Sequence, residues 1–385
     1  MVRRALGPSQ TGLIALHLLF GPPFALRPNT ATGQPGRDLM LTTASCPSCT
    51  IVRRSVARFG TDAASQDLAP SGLAGAIPAG ESGLVGVPIA GGGGPVVFGI
   101  PGTASRRLGR LGQGPGEFRA AGTPIPWRGD SIVVFDASNR RLSVYTPGLR
   151  FVRSIGFPVA SLESIVTLAN GNFVVNAGSV DSRESLGYPI HVCDEAGRRL
   201  RSFGVTVPVV RPDQVFELVR LLATDGRRVW TAIPQGRYRL EEWDPHTGKL
   251  VRGLRRRAAF YPESVRDGPI TPTNPPPAGI VGLYYDRGLL WVFVKVPGPN
   301  WAAGLSREPS VVEGGGRVYQ PQSLDTMFDT IVEAFDAESG HLLASKRFPQ
   351  YLTVLLSQGR MAVHQAEDEA GGTVSEFFAF DLRGR

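Results

Sequence analysis

A ring of six four-stranded antiparallel sheets, an all-β propeller, is the architecture this sequence predicts. Three observations point to it. Turn formers are abundant, with 48 glycines and 32 prolines among 385 residues, and they divide many short apolar runs. One passage recurs along the chain: a strand, an Asp, a turn containing Gly, then a basic strand. Finally, the last repeat stops short of its fourth strand, and a segment near the N-terminus has the character of the missing one.

The clearest repeat spans residues 123–156. Ser131–Phe135, Arg141–Tyr145 and Arg150–Ile155 are short β-rich runs parted by Gly, Pro, Asn and Asp, which is the pattern of a meander. A short first strand at Ile125–Trp127 makes four. The same order returns at 162–204, 218–254, 279–348 and 351–383, and in degenerate form at 71–110. The passages YTPGLRFVRSIG, CDEAGRRLRSFG, WDPHTGKLVRGL and FDAESGHLLASKRF read as hairpins between the third and fourth strands. In each, the Gly is expected to supply the positive φ of the turn.

The sixth repeat ends at AFDLRGR. Thr50–Gly60 (TIVRRSVARFG) resembles the fourth strands FVRSIG and LRSFG, so it is expected to complete the last blade. Closing the ring this way removes the exposed edges of an open array. The expected organisation is a targeting segment at 1–34, a linker with C-x-x-C at 35–49, and the propeller at 50–385.

The targeting segment has a positive start, Met1-Val-Arg-Arg, and an apolar run from Leu13 to Phe20 followed by small polar residues. That order matches a secretory signal and predicts a secreted or periplasmic protein. No other stretch approaches the roughly 20 apolar residues that span a bilayer. Cys46 and Cys49 could close a small disulfide loop in an oxidising compartment. Thioredoxin-like chemistry would need a βαβ context, haem attachment a His in place of Thr50, and zinc two further ligands. Cys193 lies in an apolar strand and is expected to be a buried thiol.

The net charge is +8, carried almost wholly by arginine. These arginines are spread along the chain. The one tight cluster, Arg255-Arg256-Arg257, reads as solvated surface rather than a nucleic-acid patch.

Residues 109–145 carry a more specific pattern: a Gly-rich lead, GRLGQGPGEF, a strand ending at Asp136, then Asn139-Arg-Arg-Leu-Ser-Val-Tyr145. This resembles the NHL-repeat family of six-bladed propellers over this one blade. The third to fifth repeats lack the Asn-x-Arg. The resemblance implies the fold, and it points to Arg110, Gln113, Arg119, Asn139 and Arg140 as candidate binding residues. Their alternative role is structural, because Asn in a turn satisfies its own backbone.

Loop lengths suggest where a ligand would bind. Connections between second and third strands are long at 177–188, 297–326 and 365–372, and those between blades are long at 109–122, 205–217 and 259–278. All emerge on one face of a propeller, and loops of that length are usually functional or disordered. Trp301 and Tyr319 in the longest insertion are candidate contacts to a sugar or a protein, or they fold back over a blade edge.

Catalysis finds less support. Amidating-lyase-like propellers use several histidines on zinc. Of the five here, His17 lies in the targeting segment, and His246 and His341 lie at turns of the opposite face. His191 and His364 remain, short of the usual three protein ligands. Gluconolactonase-like propellers hold a divalent metal with Glu, Asn and Asp, for which Glu163, Asn176 and Asp225 are candidates. An RNA-binding NHL domain fits the charge but not export. The reading is therefore a monomeric, non-catalytic binding or scaffold module for a protein or carbohydrate, with no cofactor.

Overall fold

The computed structural model describes residues 37–89, 93–100, 104–119, 122–159, 162–177, 187–204, 218–261, 269–311 and 317–385. The targeting segment at 1–34, the connection at 205–217 and most of the 177–188 loop lie outside them.

The chain forms a six-bladed β-propeller. Blade 1 runs from Leu73 to Arg107, blade 2 from Thr123 to Gly156, blade 3 from Ser164 to Phe203, blade 4 from Leu221 to Arg256 and blade 5 from Gly279 to Phe348. In each, four antiparallel strands, here a to d from the axis outward, follow chain order. Burial explains the composition. The b strands are covered on both faces by neighbouring blades, so Ile132–Phe135 and Leu289–Val294 are buried throughout and read as continuous apolar runs. The outer strand Phe151–Gly156 is mostly exposed and tolerates arginine and serine.

Blade 6 closes the ring as expected. Thr50–Phe59 pairs antiparallel with Thr373–Arg383, which pairs with Ala362–Glu367, and a bridge from Thr353 to Val363 marks strand a. The first and last thirds of the chain thus share one sheet, and Ile51 and Phe59 are buried in its packing against the neighbouring blades.

Residues 37–49 of the expected linker do more than link. Arg37–Leu41 adds a fifth, parallel strand to the outer edge of blade 4, where Asp38 receives Arg239 at 3.1 Å and Arg255 at 3.0 Å. Ser45 then donates to the Leu342 carbonyl of blade 5 from both its amide (2.8 Å) and its hydroxyl (3.0 Å). Cys46 and Cys49 are joined by a disulfide, beside which Ser48 bonds the carbonyl of Gly384 at 3.0 Å. This strap therefore touches blades 4, 5 and 6 in turn.

Two expectations are corrected. In the c–d turns of blades 3, 4 and 5 the positive φ falls on Gly197 (79°), Gly248 (73°) and Gly340 (78°), but in blade 2 Leu149 (58°), not Gly148, takes it. Arg256 is not solvated surface. Its guanidinium is buried between blades 4 and 5, 3.1 Å from the fully buried Glu333 carboxylate, which also accepts the Tyr238 hydroxyl at 2.8 Å. Each member of the pair satisfies the other where water is excluded.

Candidate functional site

The axial channel is closed at one end by the chain itself. Strand a of blade 6 leads into a turn of 3-10 helix, Ser357–Gly359, at the face of the a–b turns. This turn packs against the innermost strands of blades 1, 2, 4 and 5. Leu356 is buried among Ile77, Ile132 and Val134. Gly359 is required, because a Cβ there would lie 2.2 Å from the carbonyl oxygen of Ala76. Gln358 reaches blade 3, where its amide oxygen accepts the Thr167 backbone N–H at 3.0 Å and its amide nitrogen donates to the Thr167 hydroxyl at 3.0 Å. The described parts of the b–c and d–a connections lie at the other face.

On that face the long insertion of blade 5 is anchored, not loose. Trp301–Gly304 forms a 3-10 turn and Leu324–Met327 a short helix whose amide at Thr326 is capped by Ser323 Oγ at 3.1 Å. Leu305, Met327, Phe328 and Tyr351 form a small core under it, with Trp301 and Tyr319 half-buried against that core. Both aromatics therefore fold back over the blade. Lys295 is buried below, 4.9 Å from the Phe328 ring centroid, and burial pushes its ammonium pKa down to about 8.

Asp325 ties the insertion to blade 6. One carboxylate oxygen accepts from the Tyr351 amide at 2.9 Å and meets His364 Nε2 at 3.0 Å. Burial pushes the Asp325 pKa upward, but the bonds from His364 and Tyr351 prevail and hold it below the usual carboxylate value. Beyond this anchor two stretches, 305–311 and 317–321, run side by side as an arm. Leu305 bridges Pro321, Ser306 N–H donates to the Gln320 carbonyl at 2.7 Å, and Ser310–Val311 pairs with Arg317–Val318. Val311 is 70% exposed on this arm.

Of the five candidate residues in the Gly-rich motif, Arg119 (through its amide) and Asn139 are held together by Asp136. Asp136, fully buried, accepts from the Arg119 amide (3.0 Å), the Asn139 amide (3.2 Å) and the Asn139 side chain (2.7 Å). Asn139 also reaches the Gly112 carbonyl at 3.1 Å. The Arg119 side chain is exposed, as are those of Gln113 and Arg140. Arg110 is exposed and paired with Glu117 at 2.6 Å, whose pKa is lowered first by the Gly114 amide and then by Arg110. The residue that sequence reasoning missed is Arg141, whose guanidinium bonds the carbonyls of Gln113 (2.8 Å), Gly114 (2.6 Å) and Glu117 (2.7 Å). Its place in the basic run was legible, but its aim at the lead was not.

The residues weighed as metal ligands are engaged elsewhere. Asn176 is buried and bonds the carbonyls of Pro189 and Leu218 and the Arg220 amide. Asp225 caps a turn of the opposite face through the Arg227 and Arg228 amides, and Glu163 flanks Asn176. His191 is buried, 2.8 Å from Ser202 Oγ and 3.1 Å from the Ala177 carbonyl. His246 and His341 sit in c–d turns. Among the described residues no three His, Cys, Asp or Glu side chains gather into a metal-holding set, and no helix is long and apolar enough to cross a membrane.

The fold has solved counterparts. A Bacteroides fragilis protein described as exported superposes with a TM-score of 0.54 at 11% identity, covering 89% of this chain and 99% of its own. A member of the DUF4221 family from Bacteroides vulgatus gives 0.55 at 12% identity, over 88% and 99% of the two chains. At such identities the likeness concerns architecture alone. No protein-family model matches the chain, and no curated protein sequence does.

Proposed function

We propose that this is an exported binding module whose b–c face, led by the arm at 306–320, holds a protein partner, and that it performs no chemistry of its own. The observation that carries the reading is the arm. A two-stranded hairpin with a closed base presents Val311 at 70% exposure, on the face opposite the plug. An exposed branched aliphatic on a paired strand suits a protein contact. Trp301 and Tyr319, the aromatics a sugar would stack on, are committed to the core beneath, which favours a protein over a glycan. The bonded states of Asn176, His191 and Asp225 support a non-catalytic reading. Export is supported by the N-terminal charge and apolar run and by the likeness to a protein described as exported.

The test is a photo-crosslinking residue placed at Val311 in cells, with Leu200 on the opposite face as control. A single crosslinked envelope protein at Val311 alone, lost when 306–320 is replaced by Gly-Gly, supports the reading. Crosslinks equal at both sites overturn the site. Retention on a glycan array, or a stoichiometric metal with hydrolytic turnover, overturns the assignment.

A further inference from the structure

The a–b face carries a cavity that the binding reading does not use. It lies between blades 3 and 4 and measures about 460 Å³, within the range of small-molecule sites. The a–b turns of the two blades form one wall, joined by the Ala169 amide donating to the Gly226 carbonyl at 2.9 Å. Leu168, Val192 and Leu200 give it apolar surface, and Leu200 is 55% exposed.

Two guanidinium side chains, Arg201 and Arg227, border that surface, with the His246 imidazole beside them. Arg201 bonds only a carbonyl, that of Thr247, at 3.2 Å. None of the three is paired with a carboxylate among the described residues. Of the nearby acids, Asp244 faces Arg228 at 3.3 Å, and Asp225 Oδ1 accepts the backbone amides of Arg227 and Arg228. Five arginines of blade 4, Arg228, Arg239, Arg252, Arg255 and Arg256, each meet a carboxylate.

We propose that this cavity binds a small organic carboxylate with an apolar body, such as a medium-chain fatty acid. The body would lie on Leu168, Val192 and Leu200, and the carboxylate would reach the guanidinium groups of Arg201 and Arg227. Arginine forks suit that anion because they donate two parallel hydrogen bonds. The apolar floor adds a contribution that grows with chain length. A free inorganic anion would gain only half of these contacts.

Calorimetric titration of the intact protein tests this with octanoate, 1-octanol and acetate. Saturable octanoate binding is expected, with octanol and acetate much weaker. Arg227→Glu, on an exposed turn, is expected to weaken octanoate about tenfold, equivalent to about 1.4 kcal/mol. Leu200→Ser is a second, independent variant expected to lower affinity without touching charge. Arg110→Glu, on the other face, is expected to leave binding unchanged. Equal affinity for octanol, no saturation in the millimolar range, or equal loss in Arg110→Glu would overturn the proposal. Circular dichroism confirms folding of each variant, and failure here leaves the arm reading on the other face unaffected.

Discussion

Thr167 and Gln358, 191 residues apart in sequence, exchange hydrogen bonds across the axis of the ring. The Gln358 amide behaves like a short piece of strand, accepting the Thr167 backbone N–H and donating back to its hydroxyl. This contact helps close one end of the ring's axis. It also links blade 3 to blade 6, which face each other and share no sheet. Gln358→Ala would leave the Thr167 N–H without its acceptor, at a cost of about 1–3 kcal/mol. Gly359→Ala should cost at least as much, because its new Cβ meets the Ala76 carbonyl. Urea unfolding midpoints of both variants check the pair; an unchanged midpoint for Gln358→Ala would mean that the plug does not fasten the ring.

The Gly-rich motif is expected to be structural. Asp136→Ala removes the acceptor of three hydrogen bonds from a fully buried position, so a loss of about 3 kcal/mol or more is expected. Arg110→Ala, with its arginine 83% exposed, should change stability by less than about 0.5 kcal/mol. Thermal melts of the two variants make the comparison. A motif used only for binding would give the same small shift in both.

Much of this was legible in the residues, for identifiable reasons. Repeated turn chemistry and the unfinished sixth repeat marked the ring and its closure, because strand pairing and edge protection act on local pattern. The plug was not legible. LLSQGR reads like any a–b turn, and only the convergence of six inner strands gives Gln358 and Gly359 their neighbours. The same holds for Arg256, which is one of three consecutive arginines and becomes an interior group only because Glu333 of blade 5 lies opposite.

That pair supplies a third prediction. Glu333→Ala leaves a guanidinium and the Tyr238 hydroxyl buried without their acceptor, and about 3–5 kcal/mol of stability should be lost. Glu333→Gln keeps an oxygen for one donor and should lose less. Denaturant titration ranks the two. Equal stability in Glu333→Ala and the parent would show that water enters between blades 4 and 5.

Asp325 predicts a pH dependence. Its pKa is lower in the folded protein than the ordinary value of 3.8. A depressed carboxylate stabilises the fold fully above its unfolded pKa, and this contribution disappears as pH falls through the folded pKa. The docking of the blade 5 insertion should therefore hold at neutral pH and weaken below about pH 4. Hydrogen exchange at the Tyr351 amide, which Asp325 accepts, reports it directly. Asp325→Asn should remove that part of the acid dependence; an unchanged profile would place the acid sensitivity in other carboxylates.

The disulfide lies in the strap between its contacts with blade 5 and blade 6, so its removal tests how the ring is latched. Cys46 and Cys49 enclose a loop of only a few residues. In the chain-entropy view such a short loop contributes about 2 kcal/mol, against about 4–5 for a loop of a hundred residues. The flanking bonds from Ser45 to Leu342 and Ser48 to Gly384 do not depend on the sulfurs. Reduction should therefore lower the melting temperature by only a few degrees, and Cys46→Ser/Cys49→Ser should show the same midpoint with or without reductant. Collapse of the cooperative transition on reduction would instead mean that blade 6 is held shut by the disulfide and not by its ten-residue N-terminal strand.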